Sequence, residues 1–182
     1  MSSFCGRQAA GGHDIVAGLY DAMSDDSTLY GFVGGSRGLC HGDAQILDAD
    51  VIASYRGLGG YELLGRSSDS ISAKDFEKVL KVCTDLHLDG LVLVGGARTA
   101  TDTMYLSEFM LQKNCETVVV CVPADMGGSM RNQFVETTVG FDTSTKASAQ
   151  IVGNKLCIFL LLFLIIKSLI LFLIILIREQ RN

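Results

Sequence analysis

The sequence has no tryptophan and a single proline, and it is short of positive charge: Lys+Arg 15 against Asp+Glu 20, a formal net charge of -5. Proteins that grip nucleic acid through its backbone cluster Lys and Arg to neutralise phosphates. No such patch occurs, so no nucleic-acid partner is expected. The cysteines at 5, 40, 83, 115, 121 and 157 include no C-x-x-C pair and no Cys/His group at zinc spacing. They read as reduced thiols, with Cys83 and Cys121 as small core residues in apolar patterns. Nothing in Met1–Arg7 leads from a charged stretch into an apolar one, so a cleaved secretory leader is not expected, and residues 1–154 are expected to be cytosolic.

What is present divides unevenly. The 182 residues suit one ordinary domain plus an appendage. Residues 1–154 mix apolar runs with charged and Gly-rich stretches, and residues 155–182 form a tail. Within it, Leu156–Ile177 uses six residue types and carries one charge, Lys167. The positive mean hydropathy of +0.34 is mostly this tail's contribution.

Along the first part, Ile15, Val16, Leu19 and Met23 recur at helical spacing after Gly11-Gly12, which predicts a helix opening from a glycine loop. Leu29–Val33 reads as a short strand closed by Gly34-Gly35. Asp48 is placed to cap a helix through Val51, Ile52 and Tyr55, ended by the glycines near Gly59-Gly60. Ser72 and Asp75 resemble a capping box ahead of the apolar face Phe76, Val79, Leu80, Cys83 and Leu86. Leu91–Val94 is a continuous apolar run of the kind covered on both faces, followed by Gly95-Gly96. A helix then carries Met104, Tyr105, Phe109 and Met110. Thr117–Val122 is a second run of buried-strand character, stopped by Pro123. Alternation of strand, glycine loop and helix predicts an α/β fold with a Rossmann-like parallel sheet. Ligands of such sheets lie beyond the carboxyl ends of the strands.

Backbone amides approach a phosphate where no Cβ intervenes, and a helix N-terminus adds a favourable dipole. Gly11 and Gly12 are therefore phosphate candidates, and a tight-turn or packing role is the simpler alternative for either. His13 has two open readings, a phosphate contact or an ordinary surface residue, the second being the default. Arg98, just after Gly95-Gly96, is a phosphate anchor or merely an exposed arginine. Asp125 is a base, a metal ligand or a carboxylate capping its own turn. His41 and His87 have no partner in any motif.

These loops together resemble one family. Gly6-Arg7-Gln8-Ala9-Ala10-Gly11-Gly12-His13-Asp14 is similar to the G-R-Q-x-P-G-G-H-N phosphate loop of pyrophosphate-dependent phosphofructokinases. Tyr30–Gly35, Gly60–Arg66, Leu88–Gly96 and Asn132–Thr143 resemble further stretches of that family, in order, across residues 4–154. The resemblance implies the phosphofructokinase fold, present as an incomplete N-terminal phosphate-binding domain, and phosphorylation of fructose 6-phosphate to fructose 1,6-bisphosphate in glycolysis. It also implies a cytoplasmic location, Mg2+ as cofactor, and pyrophosphate or ATP as donor.

The departures from the family pattern bear directly on chemistry. Catalytic members carry G-G-D-D-S, whose first Asp helps hold magnesium; this chain has Gly95-Gly96-Ala97-Arg98-Thr99. They carry P-K-T-I-D-G-D, whose first Asp takes the proton from the sugar; here the stretch is Pro123-Ala124-Asp125-Met126-Gly127-Gly128-Ser129. The metal position thus falls on Ala97, the base on Gly127 and the second acid on Ser129, with Asp125 as a displaced substitute. No catalytic residue and no metal ligand is assigned. The pattern looks like the regulatory alpha-type subunits, which implies a catalytic subunit or domain as partner and a phosphorylated small molecule as ligand. The family's first strand is expected ahead of Gly6, where five residues remain, so the chain reads as a fragment.

As an apolar helix, Leu156–Ile177 is about 33 Å long, enough for a hydrocarbon core of ~30 Å. Lys155 and the pair Arg178 and Arg181 are too balanced to orient it. The stretch is a membrane anchor, a buried core helix or sequence foreign to the protein. The core helix is disfavoured because the chain is too small to cover it. Translated non-coding sequence is favoured over an anchor because the family resemblance stops at Gly153-Asn154.

Overall fold

The computed structural model describes the backbone of residues 2–5 and 10–179 and the side chains of residues 3–5 and 10–169. The start of the family's phosphate loop, Gly6–Ala9, lies outside the described residues, as do Arg181 and the side chains of the tail from Ile170 on. The chain forms two compact units, Met1–Asp142 and Thr143–Asn182.

The first unit is a five-stranded sheet in the order β3-β2-β1-β4-β5. Its strands are β1 (Ser2–Phe4), β2 (Tyr30–Phe32), β3 (Ala44–Ile46), β4 (Gly90–Gly95) and β5 (Val118–Pro123). The helices are α1 (Gly12–Ala22), α2 (Gly35–His41), α3 (Ala49–Tyr55), α4 (Phe76–Asp85) and α5 (Ala97–Gln112). β1, β2, β4 and β5 are parallel, whereas β3 pairs antiparallel with β2 along Phe32–Ala44, Gly31–Gln45 and Tyr30–Ile46. The Rossmann-like parallel sheet expected from the sequence is present, with one antiparallel strand, β3, added at its edge.

Alternation along β4 explains the two cores. Leu91 and Leu93 point into one cluster with Phe32, Leu39, Phe76, Val79 and Met110; Val94 enters the other with Phe4, Val16, Leu47 and Leu64. Helices on both faces cover this strand, as its unbroken apolar run requires. Asp48 caps α3 as expected, its Oδ1 accepting the Val51 amide at 2.9 Å. The chain leaves α3 through Arg56 in an extended conformation, not through a glycine. The capping box is partly realised: Asp75 Oδ2 accepts the Ser72 hydroxyl at 2.7 Å and the Ser72 amide at 3.4 Å, and Asp75 itself precedes the first residue of α4.

Three expectations are corrected. Residues ahead of Gly6 do supply a first strand: Ser2, Ser3 and Phe4 pair with Val92, Leu93 and Val94, and Ser3 and Phe4 are fully buried. Three residues suffice because the strand lies mid-sheet, with neighbours on both edges. β5 is not buried on both faces; it pairs with β4 alone, and Val118 and Val120 are 62% and 49% exposed. Cys121, in the same strand, is half-buried, whereas Cys83 is fully buried.

The second unit is helical. α6 (Phe141–Glu179) runs without a break through Asn154, and its side chains from Thr145 to Leu169 are exposed. Phe141–Leu169 is long and apolar enough to cross a membrane, with a mean hydropathy of 2.2 over its most apolar window.

Candidate functional site

Because four strands run the same way, the loops after β2, β4 and β5 open on one edge of the sheet, where β1 also ends. Hydrogen bonds tie them together there. The Ala124 amide donates to the Gly95 carbonyl at 2.9 Å, the Gly34 amide to Leu64 at 2.6 Å, and the His13 amide to Gly60 at 3.1 Å. The Thr99 hydroxyl, in the first turn of α5, donates to the Cys5 carbonyl at the end of β1 at 3.1 Å. Gly11, Gly12, Ala97, Arg98, Asp125, Gly127 and Ser129 therefore share this carboxyl edge.

Gly11 and Gly12 open α1 as the sequence predicts, and packing constrains both. Gly11 is left-handed, at φ 65, and a Cβ on it would stand 2.9 Å from Val139 Cγ1. A Cβ on Gly12 would stand 2.6 Å from the Gly60 carbonyl oxygen and 3.0 Å from the Phe4 ring. Gly12→Ala is therefore expected to lower stability by roughly 1–3 kcal/mol without any ligand, as overpacking does. Thermal unfolding of the unliganded chain measures it. An unchanged midpoint would mean that the glycine serves ligand approach and not packing.

His13 is not the surface residue taken as its default. It is 3% exposed, and its ring lies 4.8 Å from that of Tyr55. Nε2 accepts the Leu63 amide at 3.1 Å, so the neutral ring carries its proton on Nδ1, which is buried without a partner among the described residues. His13 thereby fastens the 60–65 loop to the start of α1. Its lone position in an apolar helix pattern gave no sign of this, since Leu63 is 50 residues away in sequence.

α5 begins at Ala97, with Gly96 before it making no side-chain cap and no acid in the first turn. Arg98 in that turn is exposed. A cation there adds to the positive end of the helix dipole, which favours an anion. One turn on, Asp102 accepts the Ile71 amide at 3.1 Å. Burial pushes its carboxyl up, while the Ile71 amide and Arg98 pull it down. Below the edge, burial raises the Cys5 thiol to about 12, which makes it inert.

Asp125 caps its own turn. Oδ1 accepts the Gly127 amide at 3.1 Å, and Oδ2 accepts the Ser129 amide at 2.8 Å and the Ser129 hydroxyl at 2.6 Å. The Ser129 hydroxyl, then the Ser129 and Gly127 amides, hold its carboxyl below the ordinary carboxylate range. A general base works best with a pKa near the operating pH, and a carboxylate held low is poorly matched to that task. Oδ1 keeps acceptor capacity, but with Ala97, Gly127 and Ser129 alongside, Asp125 is the only acid of the 123–129 loop, a sparse donor set for magnesium.

The phosphofructokinase family model matches residues 4–154. The pyrophosphate–fructose 6-phosphate 1-phosphotransferase subunit alpha 2 of Arabidopsis thaliana is 45% identical over 155 residues, covering 83% of this chain and 25% of its own. The beta subunit of the same enzyme from Solanum tuberosum is 35% identical, covering 82% of this chain and 27% of its own. Among solved structures, phosphofructokinase from Saccharomyces cerevisiae superposes with a TM-score of 0.68 at 21% identity, over 78% of this chain and 19% of that one. The chain spans about a quarter of the length of the curated relatives it matches.

Proposed function

The chain belongs to the phosphofructokinase family, and from that membership we propose that it is a non-catalytic member of the regulatory alpha type, which binds a phosphorylated small molecule and acts beside a catalytic subunit or domain. Similarity to relatives named as alpha subunits, with a beta subunit also matched, supports the partnership. The quarter-length match supports reading residues 1–154 as the front part of a longer phosphofructokinase, one that phosphorylates fructose 6-phosphate with pyrophosphate or ATP. Residues 155–182 are then an appended tail. By family the protein works in the cytoplasm, unless that tail carries it to a membrane.

One observation carries the reading: the only acid of the 123–129 loop caps its own turn, and the family's acid positions hold Ala97, Gly127 and Ser129. Amides at the start of α1 and the Arg98 guanidinium remain able to hold a phosphate. Without an acid to hold a metal or take a proton, the bound ester stays unreacted. Binding energy is then free to bias a partner's conformational equilibrium, provided the ligand favours one state over the other.

Calorimetric titration with fructose 6-phosphate and with pyrophosphate, without magnesium, tests this. Binding of at least one is expected, weakened about 10- to 100-fold by Arg98→Ala, as befits loss of a charge-assisted hydrogen bond. Equal affinity in the wild type and the variant, or affinity that appears only with magnesium, would sink the proposal. A second reading, a membrane-anchored interaction module on the same fold, draws on the apolar α6.

A further inference from the structure

Two cysteines line one cavity at the edge of the sheet opposite the candidate site. Cys83 sits near the end of α4, and Cys115 lies between α5 and β5. The Cys115 thiol donates to Thr117 Oγ1 at 3.4 Å, and Cys115 packs against the core cluster that holds Cys83. A relay fixes this arrangement: the Thr117 hydroxyl donates to the Leu88 carbonyl at 2.7 Å, and the Leu88 amide donates to the Cys83 carbonyl at 2.9 Å. Both cysteines line one cavity of about 530 Å³, with His87, Asn114 and Thr117. His87 and Asn114 are the two non-glycine residues with positive φ among the described residues, at 48° and 54°. They turn the chain sharply after α4 and α5, and these turns bring the two segments together.

We propose that Cys83 and Cys115 form a reversible disulfide that clips the end of α4 to the α5–β5 connection, with a low-molecular-weight disulfide such as oxidised glutathione as oxidant. Half-exposed Cys115 attacks the glutathione disulfide as thiolate, forming a mixed disulfide and expelling one glutathione thiolate, which takes up a proton. The Cys83 thiol then loses its proton and attacks the Cys115 sulfur, forming the internal S–S bond and expelling the second glutathione. Two protein thiols are oxidised and one glutathione disulfide is reduced to two thiols. Burial raises the Cys83 thiol to about 11, so the second step is the slower. Cys83 closes the bond only as the end of α4 loosens. Because β4 starts at this edge and ends at the other, the clip forms away from Arg98 and Asp125.

The full chain in mild detergent is incubated with oxidised glutathione, blocked with an alkylating agent, digested and mapped by mass spectrometry. The expected product is a Cys83–Cys115 linked peptide, two hydrogen atoms lighter than the sum of its parts and cleaved by dithiothreitol. In Cys83→Ser, Cys115 is expected to accumulate as its glutathione adduct, several-fold above wild type. A lasting adduct on Cys115 in the wild type overturns the proposal, as do links that run from either residue to Cys157 or failure of both thiols to react. The wild-type peptide map decides the matter even if the serine variant folds poorly.

Discussion

Purified on its own, this chain is expected to transfer no phosphoryl group to fructose 6-phosphate from either ATP or pyrophosphate. Phosphoryl transfer depends on positioning and on charge placed around the transferred group, with a carboxylate to orient and deprotonate the nucleophile. Acid–base assistance is typically worth ~100- to 10,000-fold, and loss of the metal position compounds it. Asp125, the acid of the 123–129 loop, has both oxygens accepting from donors of its own turn. Its depressed pKa also fixes the sign of its pH behaviour. The turn gains from the ionised carboxylate above the ordinary aspartate pKa of about 4, and that gain fades as pH falls through the lower folded value. Asp125→Asn should therefore loosen residues 125–129, read as faster amide exchange at Gly127 and Ser129 near neutral pH, while turnover stays at zero. Gly127 has room for a side chain, since a Cβ would meet only the Asp125 carboxylate at 3.6 and 3.7 Å. Glycine there is therefore no steric necessity. Coupled assays with each donor decide the question: turnover by the wild-type chain sinks the non-catalytic reading, and its loss in Asp125→Asn would make Asp125 a base.

The α/β architecture was legible because its elements declare themselves locally. The four-residue run Leu91–Val94, with glycines on either side, marked a strand, and the helical patterns before and after it supplied the layers. Asp48 announced α3, and the alternation of loops placed the candidate residues on one edge. Short elements were opaque. β3 has three residues, Ala44–Ile46, too few to show a period, and α2, Gly-Ser-Arg-Gly-Leu-Cys-His, has two glycines where helix propensity is poorest. The exposed side of β5 was unreadable because an apolar run looks the same whether one face is covered or two. At the site, the missing acids were visible by position, while the commitments of those present were not. That Asp125 caps a turn and that His13 binds the Leu63 amide depend on contacts the linear pattern does not encode.

The full chain is expected to partition into membranes, and a version ending at Asn154 is expected to stay in the aqueous phase. Leu, Ile and Phe in Leu156–Ile177 contribute on the order of -6 to -11 kcal/mol toward insertion, against roughly +3 for Lys167. Insertion wins even at the weaker end of that range. α6 satisfies its backbone hydrogen bonds internally, the condition a bilayer imposes on any single span. Lys167 adds a cost that a long side chain relieves by snorkelling toward an interface. The balance is adjustable: Leu161→Arg with Leu164→Arg adds roughly 5–7 kcal/mol against insertion, enough to cancel most or all of it. Alkaline carbonate extraction of membranes from cells expressing each form reads the result. The full chain should remain in the pellet, with the truncated and double-arginine forms in the supernatant. Recovery of the intact chain in the supernatant would remove the membrane-anchored alternative and leave the tail as sequence appended without a role in the bilayer.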